Sequence, residues 1–151
     1  MLKIYQDDLT PQTGNCFAAC VASILELPLH TVPNFCNTSD PWWPAFQQWL
    51  AQRGLTAVEI HNKRRSGLRP VTPGVPVVIT GPSSRGSWQH SVVGIACDEG
   101  FEFIHDPNPE GGFLGGAKPQ RILFFASTHP EGQCKPSSSK LNTTLIGASF
   151  A

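Results

Sequence analysis

The chain has 151 residues, which is enough for one domain with its own hydrophobic core. The chain has 11 basic residues (lysine and arginine) and 11 acidic residues (aspartate and glutamate), so its formal net charge is zero. The charge therefore gives no indication of nucleic acid or an anionic membrane as a partner. The first residues lack the apolar run of a signal peptide and no segment reaches the length of a membrane span, so we expect a cytoplasmic protein.

Residues 16–27 predict a buried helix that begins at a cysteine, because large apolar side chains recur there at helical spacing among alanines. Asn15 is the predicted N-cap, accepting hydrogen bonds from the first-turn amides, and Pro28 limits the helix. The positive end of a helix dipole favours a thiolate, so Cys16 is the candidate nucleophile. We interpret the other four cysteines as structural free thiols, since no disulfide framework is expected in such a compartment.

A second helix is predicted around a repeat of large apolar residues. The repeat has i, i+3, i+4, i+7 and i+8 spacing and consists of Trp42, Ala45, Phe46, Trp49 and Leu50. Polar side chains occupy the opposite side, so we expect an amphipathic surface helix followed by Gly54 as its C′ residue.

Five short β-rich runs follow, bounded by glycine, proline, aspartate or serine, at residues 56–60, 75–80, 88–96, 101–106 and 121–126. Helices first and strands afterwards predict an α+β fold with a mainly antiparallel sheet. The basic run at residues 63–65 is interpreted as a solvated loop. We expect one folded domain over residues 1–126 and a loosely structured segment over 127–151, with an edge strand at 143–146 as an option.

The third and fourth runs form a hairpin that carries two polar residues. His90 opens one strand and Asp106 closes the next. We expect a three-residue hairpin loop that ends at Gly100 in the left-handed conformation. That loop places Asp106 opposite Val92, diagonal to His90 on the same face, whereas a two-residue loop would turn it away. By the same alternation His105 points away from the site.

Cysteine, histidine and aspartate in this order are typical of cysteine hydrolases. The Cys16 thiolate would attack a carbonyl to form a thioester, His90 would transfer the proton and Asp106 would orient the imidazole. For the oxyanion hole we expect the Cys16 N–H and the Gln12 side-chain amide, with Gln6 as the alternative. This chemistry needs no cofactor and no metal.

Two residues beside these groups are candidates for substrate binding. Trp88 lies two residues before His90, after the flexible segment 81–87, and Asn15 precedes the nucleophile. An aromatic plug beside the sheet is the alternative interpretation of Trp88. The glycine-rich segment 108–116 is interpreted as a turn near the cleft, because it lacks the strand-to-helix context and lysine of a phosphate-binding loop.

Three motifs resemble the papain-like superfamily, and the closest likeness is to the bacteriocin-processing peptidase domains of transporters and to short bacterial and phage relatives. The motifs are Gly14-Asn15-Cys16, His90-Ser91-Val92-Val93 and Ile104-His105-Asp106-Pro107. The resemblance covers residues 12–109 and implies a papain-like fold, with the nucleophile helix packed on an antiparallel sheet. It also implies hydrolysis of peptide, isopeptide or related amide bonds. In that superfamily the oxyanion glutamine commonly lies further upstream of the cysteine than Gln12 does.

The expected partner is a protein or peptide substrate, with no nucleic acid and no membrane, and the expected state is a monomer or a weak dimer. Three alternatives stay open. The first is a papain-like binding protein without turnover, such as a bacterial or phage factor that captures a host protein. The second is an acyl transferase with the same three residues, and the third is a metal site. The metal site would use Cys16, Cys20 and a histidine, although no second cysteine pair completes a ligand set.

Overall fold

The computed structural model describes residues 1–38, 41–61, 73–98, 100–116 and 119–129. Within this part the chain has an α+β fold in which the helices precede a five-stranded sheet. The helical elements are α1 (Cys16–Leu25), a 3-10 turn (Leu29–Thr31), α2 (Phe35–Thr38) and α3 (Trp42–Ala51). The strands are β1 (Leu55–His61), β2 (Pro76–Pro82), β3 (Gln89–Cys97), β4 (Gly100–His105) and β5 (Arg121–Ser127).

Both predicted helices and all five predicted strands are confirmed, whereas the 3-10 turn and α2 were not predicted. The expectations for the basic run at 63–65, for Cys134 and for the edge strand at 143–146 lie outside the described residues. Among the described helices, none combines the length and the apolar character needed to cross a membrane.

Helix α1 is buried on all sides, with seven consecutive buried residues from Phe17 to Ser23. Its small alanine side chains let the helix lie close against β2 and β3. The predicted side-chain cap is wrong, because Asn15 forms no capping hydrogen bond. Instead its Oδ1 accepts from the Asp8 N–H (3.2 Å) and its Nδ2 donates to Asp7 (2.7 Å). Asn15 therefore ties the N-terminal segment to the start of α1.

Helix α3 contributes an aromatic cluster to the core. Phe46 and Leu50 are completely buried, and the Phe46 ring packs against Phe17 and Phe35 at centroid distances of 5.3 Å. Gly54 follows the helix with φ +67°, the left-handed conformation that the sequence predicts at this point. The cluster fixes α3 beside the first turn of α1.

The sheet has the strand order β1-β5-β2-β3-β4, and every neighbouring pair is antiparallel. Both faces of its centre are buried. Val78, Val93 and Leu123 belong to the core that includes the helices. The alternate residues, exemplified by Val77 and Val92, pack in a second cluster that includes side chains of the segment after β4. This double burial explains why β2 and β3 are almost continuously apolar.

The hairpin between β3 and β4 differs from the prediction. Cys97 pairs directly with Gly100, so the loop contains two residues rather than three. Gly100 has φ +144° instead of a left-handed helical value. Continued without interruption, this register would turn Asp106 away from His90, as expected for a loop of even length.

A β-bulge reverses that outcome. The register shifts between Val93 and Gly94, whose partners are His105 and Phe103, so Ile104 is an extra residue in β4. Beyond the bulge, each side chain of β4 faces the side of the sheet opposite to the one it would face in an unbroken strand. Asp106, which follows the strand, therefore lies on the same face of the sheet as His90. The predicted face is therefore correct, although the bulge and not the loop produces it.

Candidate active site

The Cys16 thiol lies at the start of α1, in contact with the first residues of β3. It is half-buried, and the His90 imidazole and the backbone N–H groups of Ser91 and Phe17 stabilise its thiolate form. Burial raises the pKa of Cys16, but the hydrogen bonds and the charge of His90 outweigh it and hold the pKa below the ordinary value of 9.0. The surroundings therefore favour the thiolate.

His90 connects the thiol with the carboxylate. Its side chain is only 3% exposed, and its Nε2 lies 2.7 Å from Asp106 Oδ1, which leaves Nδ1 for the thiol of Cys16. Burial lowers the pKa of His90, whereas the hydrogen bonds and charges of Asp106 and Cys16 raise it, with a net increase to about 8. Both shifts favour an imidazolium paired with a thiolate over the neutral pair, relative to the ordinary pKa values of the two groups.

Asp106 is held by four groups and is 6% exposed. Its Oδ1 accepts from His90 and from the Asn108 N–H (2.8 Å), while Oδ2 accepts from the Phe113 N–H (2.7 Å). The Arg85 guanidinium lies 3.6 Å from Oδ2. Burial raises the pKa of Asp106, but the hydrogen bonds lower it by more, so the net pKa lies below the ordinary value. The carboxylate therefore stays ionised and orients the imidazole.

The glycine-rich segment after β4 supplies two of those donors, a role that the sequence did not reveal. Phe113 has φ +49°, a strained value for an aromatic residue, and its ring stacks on Phe103 at 5.6 Å. The Gly115 N–H donates to the Pro82 carbonyl (2.7 Å), and a Cβ at Gly115 would lie 2.6 Å from the Ser83 carbonyl oxygen. The segment therefore packs against the end of β2 in a way that requires glycine.

Arg85 was also missed by sequence reasoning. Its guanidinium donates to the Gly111 carbonyl and faces Asp106, while the Ser84 hydroxyl donates to the Phe113 carbonyl (3.2 Å). Arg85 is the single cation in the segment 81–87, and this isolation is the sequence feature that could have marked it as a candidate site residue. The segment between β2 and β3 is thus joined to the segment that holds the carboxylate.

The two glutamines considered for the oxyanion hole differ in placement. Gln12 lies exposed in a surface turn, and its side chain forms no hydrogen bond within the described part of the chain. Gln6 is buried, and its Nε2 donates to the Asp8 carbonyl (2.8 Å), which also accepts from the Asn15 N–H (3.3 Å). The Gln6 amide therefore lies close to the residue before the nucleophile.

The side chains of the two candidate substrate-binding residues have partners outside the trio. The Trp88 ring covers Gly86, where a Cβ would lie 1.9 Å from the ring, and the Trp88 carbonyl accepts from the Ser83 N–H. The Asn15 side chain is occupied by Asp7 and Asp8. His105 points to the N-terminal segment, as expected from its position, with Nε2 2.8 Å from the Ile4 carbonyl oxygen.

Two other cysteines are not activated in the same way. Cys20 is fully buried, and burial raises its pKa well above 9.0. Cys36 is exposed at the surface, but partial loss of water around its thiol raises its pKa to about 11. Among the described residues, no cluster of three or more histidine, cysteine, aspartate or glutamate side chains has a geometry that could hold a metal ion.

Comparisons of the chain with family models, with curated proteins and with solved structures find no match.

Proposed function

We propose that this protein is a papain-like cysteine hydrolase that cleaves a peptide, isopeptide or related amide bond through a thioester intermediate. The contacts that join Cys16, His90 and Asp106 carry this proposal. A thiol with a lowered pKa, an imidazole with a raised pKa and a buried carboxylate form a nucleophile, an acid–base group and an orienting group. The papain-like architecture is supported by the nucleophile at the start of a helix that packs on an antiparallel sheet.

In the first half-reaction the Cys16 thiolate attacks the carbonyl carbon and a carbon–sulfur bond forms. The carbon–nitrogen bond then breaks, and the proton on the His90 imidazolium passes to the leaving amine. In the second half-reaction water attacks the thioester, His90 takes the proton of the water, and the Cys16 thiolate is released together with a carboxylic acid. Asp106 keeps its negative charge throughout and stabilises the imidazolium.

We assign the oxyanion hole to the Cys16 N–H and the Gln6 side chain. The Cys16 N–H belongs to the first turn of α1, where N–H groups have no partner within the helix. The Gln6 amide has two hydrogens and gives one to the Asp8 carbonyl, so the second is available to an oxyanion beside Asn15 and Cys16. The exposed position of Gln12 offers no comparable argument.

The proposal is tested with an activated acyl ester such as p-nitrophenyl acetate and intact-mass measurement. Wild-type protein is expected to gain one acetyl group that is released on further incubation, and Cys16→Ala is expected to gain none. Cys20→Ala is the matched control, since it removes a thiol one turn away and is expected to acylate like the wild type. Equal acylation of Cys16→Ala and wild type would overturn the proposal, and stable acylation without release would indicate a protein that does not turn over.

A further inference from the structure

Phe113 adopts a backbone conformation that its residue type disfavours. Its φ is +49°, in the left-handed region where a Cβ crowds the backbone and where glycine is the usual residue. Four of the six residues in the segment 111–116 are glycines, and three of these have positive φ. A bulky side chain at the strained position of such a segment indicates that the ring itself has a use.

The ring of Phe113 packs on Phe103. The two rings are nearly parallel, with an interplanar angle of 15° and a centroid distance of 5.6 Å. Phe103 belongs to the edge strand β4 and lies opposite Gly94, which has no side chain for it to pack on. Phe103 is 36% exposed, and Phe113 is its one ring partner in the described part of the chain. The stack therefore joins the edge of the sheet to the segment that follows β4.

The backbone of Phe113 reaches the carboxylate of the candidate site. The Phe113 N–H donates to Asp106 Oδ2 at 2.7 Å, whereas the Arg85 guanidinium lies 3.6 Å from the same oxygen. Oδ1 is shared by His90 and the Asn108 N–H. The Cβ–Cγ torsion of an aspartate has only broad preferences, so the plane of this carboxylate depends on the donor at its second oxygen. Among the described residues, the Phe113 N–H is the closest donor there.

The stack and the hydrogen bond both require the left-handed conformation. The angle φ sets the direction of the side chain relative to the N–H of the same residue, so relaxation to a negative φ would prevent Phe113 from keeping both contacts. A strained backbone conformation persists only when the surroundings hold it. Besides the stack and the bond to Asp106, the Ser84 hydroxyl donates to the Phe113 carbonyl (3.2 Å). Loss of the stack would therefore weaken the support of the carboxylate.

We propose that Phe103 is a positioning residue of the active site and acts on the carboxylate of Asp106 through Phe113. Its ring holds Phe113 in the left-handed conformation, and the Phe113 N–H fixes the plane of the carboxylate. The carboxylate in turn orients His90, which stabilises the thiolate of Cys16. An exposed residue at the edge of the sheet thus contributes to the reactivity of the thiol. This inference rests on the proposed hydrolase function.

The decisive test compares Phe113→Gly with Phe113→Ala. Both variants lack the ring, but only glycine adopts a positive φ without strain. We expect Phe113→Gly to keep the N–H at Asp106 and to react with iodoacetamide at Cys16, at pH 7, about three- to tenfold faster than Phe113→Ala. A ring that only fills space would give the opposite order or none, because glycine is smaller and more flexible than alanine. Intact mass and peptide mapping measure the rate.

Variants of Phe103 test the first step. Phe103→Ala is expected to slow alkylation of Cys16 at pH 7 about threefold or more and to move the pH profile to higher pH, because a displaced imidazole stabilises the thiolate less. Phe103→Tyr keeps the stacked ring and should match the wild type. In the Phe113→Gly background, Phe103→Ala should change the rate by less than about twofold, since glycine does not need the stack. Phe101→Ala, which removes a ring of the same strand that contacts Phe124, is the matched control and should keep the wild-type rate.

Three results would overturn the inference while leaving the hydrolase intact. They are equal rates for Phe113→Gly and Phe113→Ala, an unchanged profile in Phe103→Ala, and an equal effect of Phe103→Ala in the wild-type and Phe113→Gly backgrounds. Circular dichroism shows which variants are folded, and if Phe103→Ala is not, the two variants of Phe113 decide. If alkylation of wild-type Cys16 does not depend on His90, the proposed function fails and the positioning role fails with it.

Discussion

Cys16 and Cys20 lie one turn apart on the same helix and have opposite properties. Cys16 is half-buried and has a lowered pKa, whereas Cys20 is completely buried and has a strongly raised pKa. Burial raises the pKa of both thiols, so burial alone does not distinguish them. The difference arises from His90 and two backbone N–H groups, which contact only the first cysteine. The activated thiol is thus created by the strand that the helix meets rather than by the helix alone.

The largest expected difference between the two thiols is in alkylation. With iodoacetamide at pH 7, Cys16→Ala is expected to lose the fast-reacting site completely, and Cys20→Ala is expected to keep it. Intact mass and peptide mapping measure the adduct. Fast alkylation of Cys20 in the wild type or in Cys16→Ala would contradict the contrast between the two positions.

The second effect concerns the contribution of His90. In His90→Ala, the imidazole that lowers the pKa of Cys16 is absent while burial still raises it, so the pKa of Cys16 should rise. Because the thiolate fraction falls about tenfold for each unit by which a thiol pKa rises above the pH, we expect alkylation at pH 7 to fall by about tenfold for each unit of that rise. The rate measured from pH 5 to 10 should therefore reach its plateau at higher pH in the variant. His61→Ala, which removes an exposed histidine, is the control.

The third effect is on the free energy of unfolding, and here we expect the variant at Cys20, not the variant at Cys16, to show the larger change. Cys20→Ser places a hydroxyl in the apolar core around α1, and we expect a loss of about 1–3 kcal/mol in the free energy of unfolding. Cys16→Ser leaves the hydroxyl beside His90 and partly exposed, so we expect a change within about 0.5 kcal/mol. Urea denaturation followed by circular dichroism measures both. Equal losses would show that the two sites are equally buried in solution.

The smallest effect concerns Arg85, whose charge lies 3.6 Å from Asp106. Removing this cation makes the site less positive, which disfavours the thiolate and favours the imidazolium. Both limbs of the pH profile of Cys16 alkylation should therefore shift to higher pH, by about half a unit, in Arg85→Met. Arg85→Lys keeps the charge and should stay close to the wild-type profile. An unchanged profile in Arg85→Met would mean that Arg85 only holds its segment in place.

The elements of the fold were predictable because their signals are local. The spacing of Trp42, Phe46 and Leu50 identified α3, and short apolar runs identified every strand. The contact between His90 and Asp106 was also expected, but for a reason that proved wrong. One extra residue in β4 decides on which face of the sheet the aspartate lies. That residue, Ile104, forms a bulge, and a bulge has no sequence signal comparable to the glycine of a turn.

The residues around the trio were harder to predict because they depend on contacts between distant segments. The isolation of Arg85 as a cation in its segment marks the residue, but it does not indicate that the guanidinium meets Asp106, 21 residues later. Gln6 ranked below Gln12 because distance along the chain was the only criterion, whereas the fold brings the Asp8 carbonyl to both Gln6 and Asn15. Local signals identified the candidate reacting groups, and tertiary packing determines which groups support them.

The contact between Ile4 and His105 has a consequence for when the site forms. The two residues are 101 positions apart, and the segment between them contains both Cys16 and His90. Contacts of such long range close large loops and tend to form late in folding. The same N-terminal segment carries Gln6 and is anchored to Pro107 by a backbone hydrogen bond. A nascent chain would therefore carry Cys16 long before the proposed oxyanion hole is held beside it, so we expect the full reactivity of the thiol only after synthesis has passed the end of β4.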